Sequence, residues 1–167
     1  MGILIVSLLS SVCFGAENLR FEGKSIDAWL NILVGLPEQP EKINEPFPGK
    51  EMQQQAVAAF KRMGPREYDY LVQRLDSTNA NVIGIAFAFK YAGTNASLEI
   101  RRLIALFDRD EAAGAAIRCL VEIGTNSVPA LIEALSEKNV KIRQRPANAL
   151  GQIGPPAKTA VPILMKR

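Results

Sequence analysis

From Lys50 onward the apolar residues fall at helical spacing, and the helices they outline recur with a fixed period. Gly64, Gly93, Gly124 and Gly154 each close an alanine-rich apolar helix, at intervals of 29, 31 and 30 residues. Four residues before each glycine stand Phe60, Phe89, Leu120 and Leu150; five before stand Ala59, Ala88, Cys119 and Ala149. The residue immediately before it is Met63, Ala92, Ile123 or Ile153. A large and a small apolar side chain thus return to the same face of every helix, which lets each helix dock on its neighbours in the same way. A period of this size predicts stacked supersecondary units.

After each glycine a second helix is expected. Leu71, Val72 and Leu75 form the apolar stripe of one such helix; Leu131, Ile132 and Leu135 form that of another. The glycine suits a left-handed C-cap, the Thr or Asn that follows suits an N-cap, and Pro129 and Pro162 suit a first turn. Polar breaks separate the pairs: Asp76–Asn81, Asp108–Glu111 and Ser136–Asn139. The unit therefore reads helix, tight turn, helix, polar break. No stretch alternates as a strand does; the run Val82–Phe89 is ambiguous, but its register matches the other first helices. Pro146 is expected to kink or delay the fourth first helix, and Gly114 to soften the third by about 1 kcal/mol relative to alanine. The sequence stops a few residues into a helix starting near Val161, so the last layer reads as incomplete and the chain as truncated there.

The N-terminal third is organised differently. Residues 1–16 read as a secretory signal peptide, with an apolar run from Ile3 to Phe14 that is shorter than the roughly 20 residues of a membrane span. This implies a periplasmic or secreted protein, with membrane contact only if the segment stays uncleaved. Residues 17–34 read as a capping helix: Ser25 is its N-cap, Asp27 sits in its first turn, and Ile26, Trp29, Leu30 and Leu33 share one face. Trp29 is expected to cover the open end of the stack. Gly35 and Pro37 stop the helix, and residues 35–50, with Pro37, Pro40, Pro46 and Pro48, read as a linker. Residues 51–167 then form the repeat region. The fold class is all-α, an α-solenoid of antiparallel helix pairs with about four repeats.

The stretch 124–164 carries VPALIEAL, VKIR, ANALGQIG and AVPIL. These motifs resemble HEAT repeats of the short bacterial kind named after phycobilin lyases, whose usual order is VPAL, VR, AAxALGxIG and AVPAL. The two preceding copies match in register but are degenerate. The opening FEGKSIDAWL and the recurrent Gly-Thr-Asn turn are similar to secreted bacterial HEAT proteins. The resemblance implies an armadillo-like helical fold that binds proteins. It also suggests two alternatives: a lyase-like chromophore-handling protein, and a nucleic-acid-binding protein gripping through a basic surface.

Chemistry narrows the reading further. The 167 residues include no histidine, which removes Ser-His-Asp and Cys-His catalysis and histidine-ligated metal sites. With Cys13 in the signal segment, Cys119 stands alone, a small buried residue with no intramolecular disulfide partner. No phosphate-binding glycine loop, CxxC or HExxH occurs. Asp108, Asp110 and Glu111 cluster, but helix-start electrostatics accounts for them. No enzyme, cofactor or metal site is therefore expected. The net charge of +3 is unevenly placed. From Lys138 onward there are basic residues and no acid, so Lys138, Lys141, Arg143, Arg145 and Lys158 form the candidate partner-binding set. Alternatively they are a solvated solenoid end.

Overall fold

The computed structural model describes residues 19–36, 46–76 and 81–165. The signal-peptide run and the centre of the Pro-rich stretch lie outside them. Nine α-helices are formed among the described residues: α1 (Ile26–Leu33), α2 (Lys50–Arg62), α3 (Pro65–Arg74), α4 (Val82–Tyr91), α5 (Ser97–Ala105), α6 (Asp110–Ile123), α7 (Val128–Ala134), α8 (Val140–Ile153) and α9 (Val161–Leu164).

The helices sort into two layers. α2, α4, α6 and α8 pack side by side as one, and α3, α5 and α7 as the other. Each second helix also leans on the first helix of the next repeat, α5 on α6 and α7 on α8. This is an α-solenoid, and its core is the ladder legible in the period. Phe60, Phe89, Leu120 and Leu150 are all buried, as are Ala59, Ala88, Cys119 and Ala149 beside them. At the first seam Tyr68 of α3 stacks on Phe89 of α4, with ring centroids 5.3 Å apart, and donates its hydroxyl hydrogen to the Phe60 carbonyl at 2.7 Å.

The turns depart from expectation in instructive ways. Gly93, Gly124 and Gly154 have φ of 57°, 68° and 73°. With ψ of −130° and −136°, Gly124 and Gly154 lie in the mirror of the extended region, which excludes Cβ-bearing residues more strictly than a left-handed helical cap does. Each of the three leads into a 3₁₀ turn, Gly93–Ala96, Gly124–Ser127 and Pro155–Ala160. Gly64 differs, being extended at φ −99° and ψ −172°. Pro65 follows directly as the first residue of α3 and excludes a helical ψ before it. The side chain of Glu67 reaches back to accept the Gly64 N–H at 2.9 Å.

The expected Thr and Asn caps are replaced by those 3₁₀ turns. Their backbone bonds run into α5 and α7, neither of which has a side-chain cap. Asn95 instead bonds outside its own repeat, donating to the Met63 carbonyl at 3.0 Å. Pro146 does not end its helix, because α8 is continuous from Val140 to Ile153.

One element was unforeseen. Arg20–Phe21 and Lys24–Ser25 pair as a two-residue antiparallel hairpin, β1 and β2. Its turn residues Glu22 and Gly23 both have positive φ, the geometry of a tight hairpin loop. The Glu22 carboxylate pairs with Arg62 at the end of α2 at 2.6 Å, and the Arg62 hydrogen bonds hold its carboxyl below the usual range. Ser25 then caps α1 by accepting the Ala28 N–H at 3.1 Å. Trp29 is buried and donates its indole N–H to the Phe21 carbonyl at 2.8 Å. α1 lies against both α2 and α4. It also reaches α3, through Asp27 to Tyr70 at 3.2 Å and to Arg74 at 3.5 Å.

Candidate functional site

The predicted basic set is divided by the fold. Lys138, in the turn before α8, and Lys158, in the 3₁₀ turn after it, are exposed. They are separated by the whole of α8, a helix about 20 Å long. Arg143 folds back and donates to the Glu137 carbonyl at 3.0 Å and the Lys138 carbonyl at 2.8 Å. It thereby closes carbonyls left open just past the end of α7. Arg145 pairs with Asp110 at the start of α6. Lys141 lies in the first turn of α8, its side chain outside the described atoms. Two of the five cations thus tie one repeat to the preceding one, a role that sequence order alone does not reveal.

Other charges join the repeats in the same way. The adjacent Arg101 and Arg102 of α5 reach in opposite directions, Arg101 to Glu133 of α7 at 3.7 Å and Arg102 to Asp69 of α3. Lys90 of α4 meets Glu122 of α6 at 3.5 Å, and Arg109 meets Asp76. Arg102 also faces Glu99 at 3.3 Å. Glu99 is only 2% exposed. Burial raises its pKa; Arg102 pulls it back, and Asp69 adds to the rise. Exposed pairs of this kind contribute about 0–1 kcal/mol each. Their regular placement across seams fixes how neighbouring layers sit.

Two surface grooves follow the seams. One, of about 170 Å³, runs between α5 and α7, with Ile104 and Ala130 in its floor and Glu133 and Glu137 on its rim. The other, of about 290 Å³, lies between α2 and α4 on the opposite layer. Lys50, Gln53, Gln54 and Val57 of α2 face Phe87 and Tyr91 of α4 across it, with Leu33 of α1 at one side. Sequence reasoning missed this second groove; the signal that could have found it is the spacing, i, i+3, i+4 and i+7 on α2 and i, i+4 aromatic residues on α4.

Among the described residues no three metal-ligating side chains come together. The buried Cys119 thiol has its pKa pushed up to about 12 by desolvation, so it stays protonated and unreactive at neutral pH. The stretch Asp110–Ala134 is long and apolar enough by composition to cross a membrane. It turns at Gly124, however, and contributes α6 to one layer and α7 to the other.

No curated protein and no solved structure compared with the chain matches it. Residues 100–167 match the family of HEAT repeats. That stretch covers α6 to α9 and most of α5. The match makes residues 100–167 HEAT repeats, and the two-layer stack of helix pairs continues the same architecture back to α2.

Proposed function

We propose that the chain is a non-catalytic scaffold that binds a protein partner along its stacked helices, and that it works outside the cytoplasm. The observation carrying the first part is the two-layer solenoid itself. Successive helix pairs present grooves at their seams, surfaces suited to protein segments. The HEAT-repeat match supports the same reading, since such repeats commonly mediate protein interaction. The export part rests on the apolar N-terminal run of the sequence.

Cross-linking in the native source, followed by titration of the purified chain with the purified cross-linked protein, tests the scaffold role. A saturable complex is expected. A chain that yields only nucleic acid or a bound chromophore overturns it. N-terminal sequencing of the mature protein tests export, with a start near residue 17 expected and a start at Met1 opposed to it. The nucleic-acid alternative loses support from the fold, because Arg143 and Arg145 are committed to carbonyl and carboxylate partners.

A further inference from the structure

We infer that the groove between α2 and α4 is a docking site for an extended, acidic, proline-bearing peptide segment of a protein partner. The inference rests on the scaffold reading and names a partner chemistry for one face of it.

The groove has two unlike walls. On α4, Phe87 and Tyr91 stand one helical turn apart and both are only half-buried. They form an aromatic wall of the groove, Tyr91 also packing against the core. Opposite them, α2 supplies Lys50, Gln53 and Gln54, all donors, with Val57 completing the apolar floor. Among the described residues the lining contains no carboxylate, and its one formal charge is the Lys50 ammonium. A second ammonium, Lys90, lies 5.6 Å from the Phe87 ring centroid but is paired with Glu122 at 3.5 Å, which leaves Lys50 as the charge facing the groove.

An extended polyproline-type segment fits these walls on three counts. Its pyrrolidine rings are flat apolar surfaces that pack on aromatic faces. Its carbonyls make no internal hydrogen bonds and are open to the Gln amide donors. A carboxylate on it meets the Lys50 ammonium, with no like-charged neighbour among the described lining residues. A helical ligand would satisfy its own carbonyls and leave Gln53 and Gln54 facing an apolar surface. At about 290 Å³, the site has room for two or three side chains, not for a folded domain.

The test is fluorescence anisotropy on the full chain with three labelled peptides. One alternates proline with glutamate, one has lysine for each glutamate, and one has alanine for each proline. Saturable binding of the first, with the other two weaker by about tenfold or more, is the expected result. Tyr91→Ala should weaken the first peptide by about tenfold. Lys50→Glu, an exposed change in the first turn of α2, should reverse the preference between the glutamate and lysine peptides. Far-UV circular dichroism checks that both variants stay folded. Failure of the Pro-Glu peptide to bind at about 1 mM overturns the inference. So does binding that Tyr91→Ala and Lys50→Glu leave unchanged. Binding seen only after deletion of residues 37–45 also overturns it, since the chain would then cover its own groove. A native partner that binds Tyr91→Ala as tightly as wild type overturns this inference while leaving the scaffold reading intact.

Discussion

The side-chain amide of Asn95 donates to the backbone carbonyl of Met63 at 3.0 Å, fastening the turn of one repeat to the helix end of the repeat before it. Met63 is the C-cap of α2, where carbonyls lack helical partners. Asn95→Ala should therefore cost about 1 kcal/mol. Asn95→Asp should cost more, because it sets a carboxylate against a carbonyl. Urea unfolding should show a lowered midpoint at unchanged slope for both.

Glycines at equivalent-looking helical positions should respond with opposite sign. Gly114 in α6 and Gly151 in α8 are exposed, and an added Cβ would meet nothing within 4 Å. Alanine at either should stabilise by about 0.5–1 kcal/mol. Gly124, at φ 68° and ψ −130°, also has open space around it. There the backbone itself is unsuited to a side chain, and Gly124→Ala should destabilise by about 1–3 kcal/mol. Thermal unfolding of the three variants in parallel checks the contrast.

The apolar ladder should be costly to interrupt anywhere along its length. Leu120 is fully buried and Leu150 is 2% exposed. Replacement of either by alanine should lose about 2–5 kcal/mol. A loss below about 0.5 kcal/mol at Leu150 would mean that its side chain does not pack between the layers.

Glu99 gives a pH dependence opposite to that of most ion-paired carboxylates. Its folded pKa is raised, chiefly by burial, so across the window between its unfolded and folded values the native state holds the proton that the unfolded chain has released. Stability attributable to this group therefore falls as pH rises through that window. Glu99→Gln removes the charge and keeps an oxygen for Arg102. The variant should match wild type near pH 4 and exceed it at pH 7. Denaturant midpoints measured across that range test this, and a gap that is constant with pH would refute it.

Arg143 and Lys138 should separate structure from surface. Arg143→Ala opens the carbonyls of Glu137 and Lys138 and should cost about 1 kcal/mol. Lys138→Ala, at an exposed side chain, should stay within about 0.5 kcal/mol of wild type. Differential scanning fluorimetry resolves the two.

The repeat was legible because packing repeats. A helix that buries Phe60, Phe89, Leu120 or Leu150 must carry them at one period, and that period survives in the sequence even where the copies have diverged. Turn chemistry was half legible. Glycine marked every turn, but the choice between the extended Gly64 and the positive-φ Gly124 depends on whether a 3₁₀ turn intervenes, which the residue type alone does not settle. The Glu22-Gly23 hairpin was missed because its strands are two residues long and leave no alternation to see. The pairing of the basic set was hidden for a different reason. Counting charges along the chain cannot show that Arg145 meets Asp110 from the preceding repeat, 35 positions away. The α2–α4 groove was absent from the sequence reading because Phe87 and Tyr91 look like core residues until their surroundings are known.

The placement of α1 has a mechanical consequence. A stack of this kind bends when successive layers tilt about the seam between them. α1 rests on α2 and α4 at once, its Asp27 holds α3, and its Asn31 meets Asn81 at the start of α4 at 3.3 Å. The first seam is therefore bolted on three sides and cannot open without parting α1 from α2 or from α4. The α4–α6 and α6–α8 seams are held instead by direct helix packing, by the Lys90–Glu122 and Arg145–Asp110 pairs, and by the turn Leu106–Asp108, which touches both α6 and α8. The first seam therefore leans on a helix that lies outside the repeats, whereas the later seams are closed by the repeats themselves.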